Sequence, residues 1–315
     1  MIKSREARYC NIKILLIFLV IYGHLIEPQI HQNTIVSMQY KFIYLFHMPT
    51  FAFLSGLFVK DCQFCRMQLK KTILLYAGLQ VLIFICSGGA IDLRYPYWIL
   101  WYLLSLSCWL CFTLVWLSLF NESNKISILI ISIIIGCLVG CVNFIDRIFS
   151  LSRTLVFFPY FWLGIMLDYK TEWQKYRFIG MISLLCSILI LIFTNDHITV
   201  NFLYHATPYG TIQNGAILRF ICYVIGMSLI VFLLTWMPDK RFIFTKAGTN
   251  TLPAYILHAV FVILLRELYL SWYVYLVLTG IFLWILYRIT QIEGMLYTIT
   301  LSDRRKNNVH FPKNI

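Results

Sequence analysis

Residues 12–26 read IKILLIFLVIYGHLI, an apolar run interrupted by one lysine near its start and one histidine near its end. The apolar positions do not alternate, and they occupy every face of a helix, which suits hydrocarbon better than a water-exposed surface. Comparable runs follow at 42–59, 72–88, 98–120, 126–145, 154–168, 178–194, 216–236, 251–267 and 273–292. About 20 helical residues cross the hydrocarbon of a bilayer, and only helices or closed barrels satisfy the backbone there. The pattern therefore predicts an all-α, polytopic integral membrane bundle of about ten transmembrane helices. Composition agrees: 60% of the 315 residues are hydrophobic and 12% charged, against about 25% charged in an ordinary soluble domain. No small-residue cleavage site follows the first run, so it is expected to be retained as a helix.

The formal charge of +13 raises the question of nucleic acid, and the placement of the basic residues answers it. With the N-terminus inside, twenty Lys and Arg fall on the cytoplasmic side, among them Lys3, Lys60, Lys125 and Lys313. Six fall on the other: Lys41, Arg94, Arg147, Arg153, Arg219 and Arg266. This positive-inside bias predicts that both termini are cytoplasmic and argues against a nucleic-acid partner. Most of the ten cysteines lie within apolar runs and imply no disulfide framework. Cys62 and Cys65 form a lone CxxC without a second pair or nearby histidine, so no metal site is expected.

Ionisable groups inside spans are costly and mark candidate sites. Lys13 and His24 are eleven positions apart, which returns to within about 20° of the same helix face, about 16 Å along the axis. A snorkelling lysine and an interfacial histidine would also account for them. The second run, YKFIYLFHMPTFAFLSG from Tyr40, places His47 at a depth comparable to His24, with Pro49 expected to kink the helix. Glu27, Arg94, Trp98, Trp101, Tyr102, Asp146, Arg153 and Arg219 are expected near the same outer level, as a polar chamber or as part of an aromatic belt. Outer loop 195–215, NDHITVNFLYHATPYGTIQNG, has no Lys or Arg and suits a neutral, hydroxyl-rich ligand. An ordinary solvated loop looks the same and is the simpler expectation. The ninth run opens GTNTLPAYILHAV, with Asn250 a candidate N-cap and His258 two turns inside.

Five separated segments in order resemble the acyltransferase-3 family of membrane acyltransferases, particularly the short branch that includes fucose 4-O-acetylase-like and capsular-polysaccharide O-acetyltransferases. They are Lys13 to His24 with HLIEP, FHMPTFAFLSG from Phe46, WYLLSL from Trp101, Arg153 followed by FFPYFWLGI, and GTNTLPAYILH ending at His258. The resemblance runs from about residue 10 to 290 and implies a membrane acyltransferase domain over 1–300, with a short cytoplasmic tail at 301–315. Many relatives have Arg in place of Lys13, and lysine meets phosphate as a point charge rather than in a fork. Others carry an appended hydrolase-like domain, so transfer here is expected to finish within the membrane domain or on a separate partner.

The resemblance implies no bound cofactor, acetyl-CoA (or another acyl-CoA) as co-substrate, and a sugar hydroxyl of a surface polysaccharide or its lipid-linked precursor as acceptor. It also implies a cell membrane location among lipid. A sugar hydroxyl needs a general base near neutral pH, and histidine suits that task. His24 is the expected base or acyl carrier, and His47 its orienting partner or an oxyanion donor. Lys13 would face the donor's phosphates. Arg153, Arg219, Trp101 and Tyr102 would hold the acceptor, and Asn250, His258 and Glu27 would support the site. A transporter, flippase or polymerase for lipid-linked glycan would show a similar composition and remains the alternative at this point. The acyl group, acceptor position and oligomeric state are not readable from sequence.

Overall fold

A computed structural model describes the backbone of residues 4–59, 61–120 and 124–307, and side chains within 6–59, 61–119 and 124–289. Lys3, Lys60, Lys313 and the tail beyond residue 307 lie outside the described residues. The described chain is all-helical, with α1 (Ser4–Ile26), α2 (Thr34–Leu57), α3 (Cys62–Cys86), α4 (Trp101–Phe120) and α5 (Lys125–Leu138). There follow α6 (Leu151–Met166), α7 (Arg177–Thr194), the single turn α8 (Val200–Leu203), α9 (Gly215–Trp236), α10 (Leu252–Leu265) and α11 (Trp272–Asn307).

Each of the ten apolar runs falls on one of the longer helices. Among the described residues, seven helices are long and apolar enough to cross a membrane. An eighth qualifies if Ile243–Thr249 and Leu252–Leu268, which bend through 96°, make one span. The two runs outside this set differ in kind. The 14 residues of α5 rise only about 21 Å, short of a hydrocarbon layer of about 30 Å. The 24 residues of α2 are long enough, but they include Tyr40, Lys41, Tyr44, His47 and Pro49.

The chain forms two compact units. One gathers the residues up to Gln29 and those from Asp239 onward; the other is Ile30–Pro238. In the first, α1 packs against residues 243–249, α10 and α11. Arg8 reaches both carboxylate oxygens of Asp239, Nε to Oδ1 at 2.7 Å and Nη2 to Oδ2 at 2.8 Å. Asn11 donates to the Lys240 carbonyl at 3.0 Å and accepts from the Thr245 hydroxyl at 2.7 Å. A side chain at Gly248 would overlap the Cys10 carbonyl. The first turns of α1 are thus tied to a segment more than two hundred residues later in the chain.

In the second unit, α2 lies against α6 and α9, and α7 against α9. Helices in lipid gain no hydrophobic drive from meeting each other, so close backbone approach at small residues supplies the contact. A Cβ at Gly56 would strike the Phe161 carbonyl, and one at Gly164 would strike the Phe53 carbonyl, so α2 and α6 touch backbone to backbone at two reciprocal glycines. Pro49 lies within an unbroken α2 and frees the Leu45 carbonyl from its helical N–H. At Gly226 of α9, an added Cβ would sit 3.2 Å from that same carbonyl.

Candidate active site

In the first unit, His24 is in the last turn of α1, and the chain then tightens into a short 3-10 turn, Glu27–Gln29. This three-residue offset sets the Glu27 carboxylate 3.6 Å from His24 Nδ1. The His258 ring of α10 stacks on that of His24, centroids 5.7 Å apart and planes 19° from parallel. His258 is fully buried, and its Nδ1 lies 2.5 Å from the Tyr255 carbonyl. A carbonyl only accepts, so Nδ1 carries a proton and donates it. At His24 the carboxylate is within electrostatic reach of Nδ1 rather than at hydrogen-bond distance, and Nε2 lies on the far side of the ring from Nδ1. Lys13 is half-buried about three turns before His24 on the same helix. Asn250 accepts from the Leu252 N–H at 3.3 Å, so its local duty is to start α10.

In the second unit, His47 is buried on α2, with Nδ1 2.7 Å from the Ile43 carbonyl one turn earlier. Tyr44 meets its ring edge-on at 4.7 Å and stacks on Tyr40 at 4.0 Å. Tyr40 and Tyr204 share a hydroxyl–hydroxyl bond of 3.0 Å. Arg153 donates from Nε to the Tyr204 carbonyl at 2.9 Å and lays its guanidinium 4.9 Å from the Trp101 ring. Trp101 packs edge-on against Tyr102, whose hydroxyl bonds Ser55 at 2.8 Å and so links α4 to α2. Arg219, buried on α9, donates to His205 Nδ1 and lies 4.6 Å from the Phe202 ring and 5.5 Å from that of Tyr209.

Arg153 and Arg219 therefore hold two consecutive loop residues, Tyr204 and His205. Among the described residues no carboxylate forms an ion pair with either arginine, and Arg219 Nε is buried without a hydrogen-bond partner. Burial, then the charges of Arg219 and Arg153, push the His205 imidazole well below the usual histidine range. It is held neutral, as its role as acceptor from Arg219 requires. Its backbone is left-handed, with φ 53°, a conformation uncommon outside glycine that only firm surroundings maintain.

Loop 195–215 thus differs from a solvated connection. Ile198, Phe202, Leu203, His205, Ala206 and Tyr209 are all buried. Tyr209 anchors it to the end of α5, hydroxyl to the Cys137 carbonyl at 2.6 Å and N–H to the Gly140 carbonyl at 2.7 Å. Sequence reasoning left His205, Tyr204, Tyr40 and Tyr44 out of the site. The available signal was a loop without Lys or Arg in a chain whose neighbouring apolar runs carry Arg153 and Arg219. Two other residues of the expected chamber are engaged locally: Arg94 pairs with Asp92 on an exposed turn, and Asp146 accepts from the Ile148 N–H.

No curated protein and no solved structure matches the chain. A family model described as an acyltransferase domain matches residues 10–290, nearly the whole length. The chain belongs to the acyltransferase-3 family and is a multi-pass membrane acyltransferase.

Proposed function

We propose that this acyltransferase moves an acetyl or other short acyl group from a cytoplasmic acyl-CoA to a sugar hydroxyl of a surface polysaccharide or its lipid-linked precursor, at a cell membrane, with both termini inside. The observation that carries the reading is the oriented histidine at the end of α1. The Glu27 carboxylate, 3.6 Å from Nδ1, favours a proton on that nitrogen, and in this reading Nε2 serves as the lone-pair base. His24 Nε2 takes the acceptor's hydroxyl proton as its oxygen bonds to the thioester carbonyl carbon. The C–S bond then breaks, and the leaving coenzyme thiolate receives the proton back from the imidazolium. No metal and no bound cofactor is needed for this sequence of steps.

Lys13 is assigned to the donor's phosphates. Its distance from His24 along the helix, about 16 Å, is of the order that the coenzyme's extended arm bridges. His258 is a positioning residue, its ring stacked on that of His24. Arg153, Arg219 and Trp101 are assigned to the acceptor, one half-buried and one buried guanidinium without carboxylate partners being suited to an anionic sugar or its phosphate. Tyr102, whose hydroxyl is engaged by Ser55, would offer the acceptor a ring face. His47 donates its Nδ1 proton to a backbone carbonyl, so it stabilises an oxyanion through Nε2 only as the imidazolium.

The test is proton NMR of surface polysaccharide from cells with the intact gene, without it, and with His24→Ala present at normal level. Loss of O-acyl signals in the latter two with polymer yield unchanged supports the proposal. Unchanged acylation with polymer retained inside the cell would replace it by a transport role.

A further inference from the structure

Between α4, α5 and α6 lies a cavity of about 600 Å³, lined along one wall by Cys108, Trp109, Phe112 and Trp116 and along the other by the Ser127–Ile135 face of α5. That volume is in the range of sites that hold small molecules, roughly 300–1,000 Å³. The polar groups of its wall are turned into the protein. Trp109 Nε1 donates to the Thr154 carbonyl at 2.8 Å, the Thr154 hydroxyl to the Ser150 carbonyl at 2.9 Å, and the Ser132 hydroxyl to the Leu129 carbonyl at 2.8 Å. What remains facing the gap is hydrocarbon and aromatic carbon. Water needs two to four polar partners to settle in such a space and finds few here. Phe112, Ile131 and Ile135 on its rim are exposed, so the cavity opens sideways from the bundle.

One end of this groove is charged. Asn124 and Ser127 line it where α5 begins. Asn124 has a left-handed backbone and gives α5 no capping hydrogen bond. Lys125 follows, with Nζ 5.7 Å from the Trp116 ring and its carbonyl held by Trp162 Nε1 at 2.9 Å. A lysine at the electropositive start of a helix, beside an indole, complements an anionic head group. From Trp116 to Cys108 the groove follows α4 for about 12 Å, close to the depth of one hydrocarbon leaflet, about 15 Å.

We propose that this groove binds an anionic phospholipid, one acyl chain between α4 and α5 and the phosphate at Lys125 and the first turn of α5. The site uses none of the residues assigned to acyl transfer and holds the lipid as a bound component of the fold.

Purified full-length protein in detergent is irradiated with phosphatidylglycerol bearing a mid-chain diazirine, and the adducts are mapped by peptide mass spectrometry. Labelling is expected to concentrate on 108–116 and 127–135 and to be competed by unlabelled phosphatidylglycerol better than by phosphatidylcholine. Lys125→Gln removes roughly 1 kcal/mol of head-group attraction, so labelling at limiting lipid falls about fivefold. Ile131→Phe, filling the groove from its exposed rim, lowers labelling whatever the head group. Even labelling of lipid-facing helices, equal competition by phosphatidylcholine, an unaffected Lys125→Gln variant, or displacement by a polyprenyl phosphate in preference to phosphatidylglycerol would each overturn the assignment.

Discussion

The His24 cluster and the Arg153–Arg219 cluster solve the problem of a polar group in an apolar bundle in opposite ways. His24 sits at the end of a regular helix, its polarity answered by one carboxylate three residues on and one stacked imidazole. The two arginines lie on regular helices, but what answers them is an irregular loop, through the Tyr204 carbonyl and the His205 ring. The first arrangement gives a group whose proton can leave and return. The second gives fixed positive charge against aromatic faces, with hydrogen-bonding capacity left over at Arg219. Chemistry and anion recognition therefore call for different variants.

His24→Ala tests the first arrangement most severely. Losing a general base lowers acyl transfer by roughly 10²–10⁴-fold, measured as O-acyl content per polymer repeat. Arg8→Ala asks whether that cluster's frame rests on the tie to Asp239. Arg8 is buried and Asp239 half-buried, so losing the pair costs about 1.5–3 kcal/mol, and the variant is expected to leave the membrane fraction on mild heating while the intact chain persists. Glu27→Gln keeps the shape but removes the charge that orients His24. Transfer should fall about tenfold or more, and normal activity in this variant would detach Glu27 from the site.

The second cluster predicts a pH response. His205 stays neutral in the folded chain, whereas the unfolded chain takes up a proton as pH falls below about 6.5. Its contribution to stability is thus complete above that pH and declines as pH falls further, toward its lowered folded value. Thermal unfolding followed from pH 8 to pH 5 should show this decline, and His205→Gln should flatten it. Tyr40→Phe is the mildest probe. It deletes the hydroxyl bond shared with Tyr204 and should cost about 1 kcal/mol of stability, read as a small fall in unfolding temperature.

The two clusters also differ in how much of them was legible beforehand. Lys13 and His24 could be placed on one stripe because a helix has a fixed period, and Glu27 follows three residues on. His258 could be placed two turns inside its run, but its stacking on His24 joins segments 234 positions apart and leaves no periodic trace. In the loop, period fails altogether. NDHITVNFLYHATPYGTIQNG has the composition of a solvated connection, and its burial comes from Tyr209 docking beside Gly140 and from arginines on other helices. The apolar runs announced every long helix. They did not show that α5 would be so short or that residues 243–249 would bend away from α10.

The reciprocal contact of Gly56 and Gly164 bears on motion. Where two helices meet through side chains, rotamers can shift and let one slide on the other; where they meet main chain to main chain, no such bearing surface exists. α2 and α6 are in effect riveted, so His47 and Arg153, one on each, keep their spacing through any working cycle. Displacement within that unit is left to the connections outside this contact, such as residues 87–100 between α3 and α4 and the turns between α5 and α6.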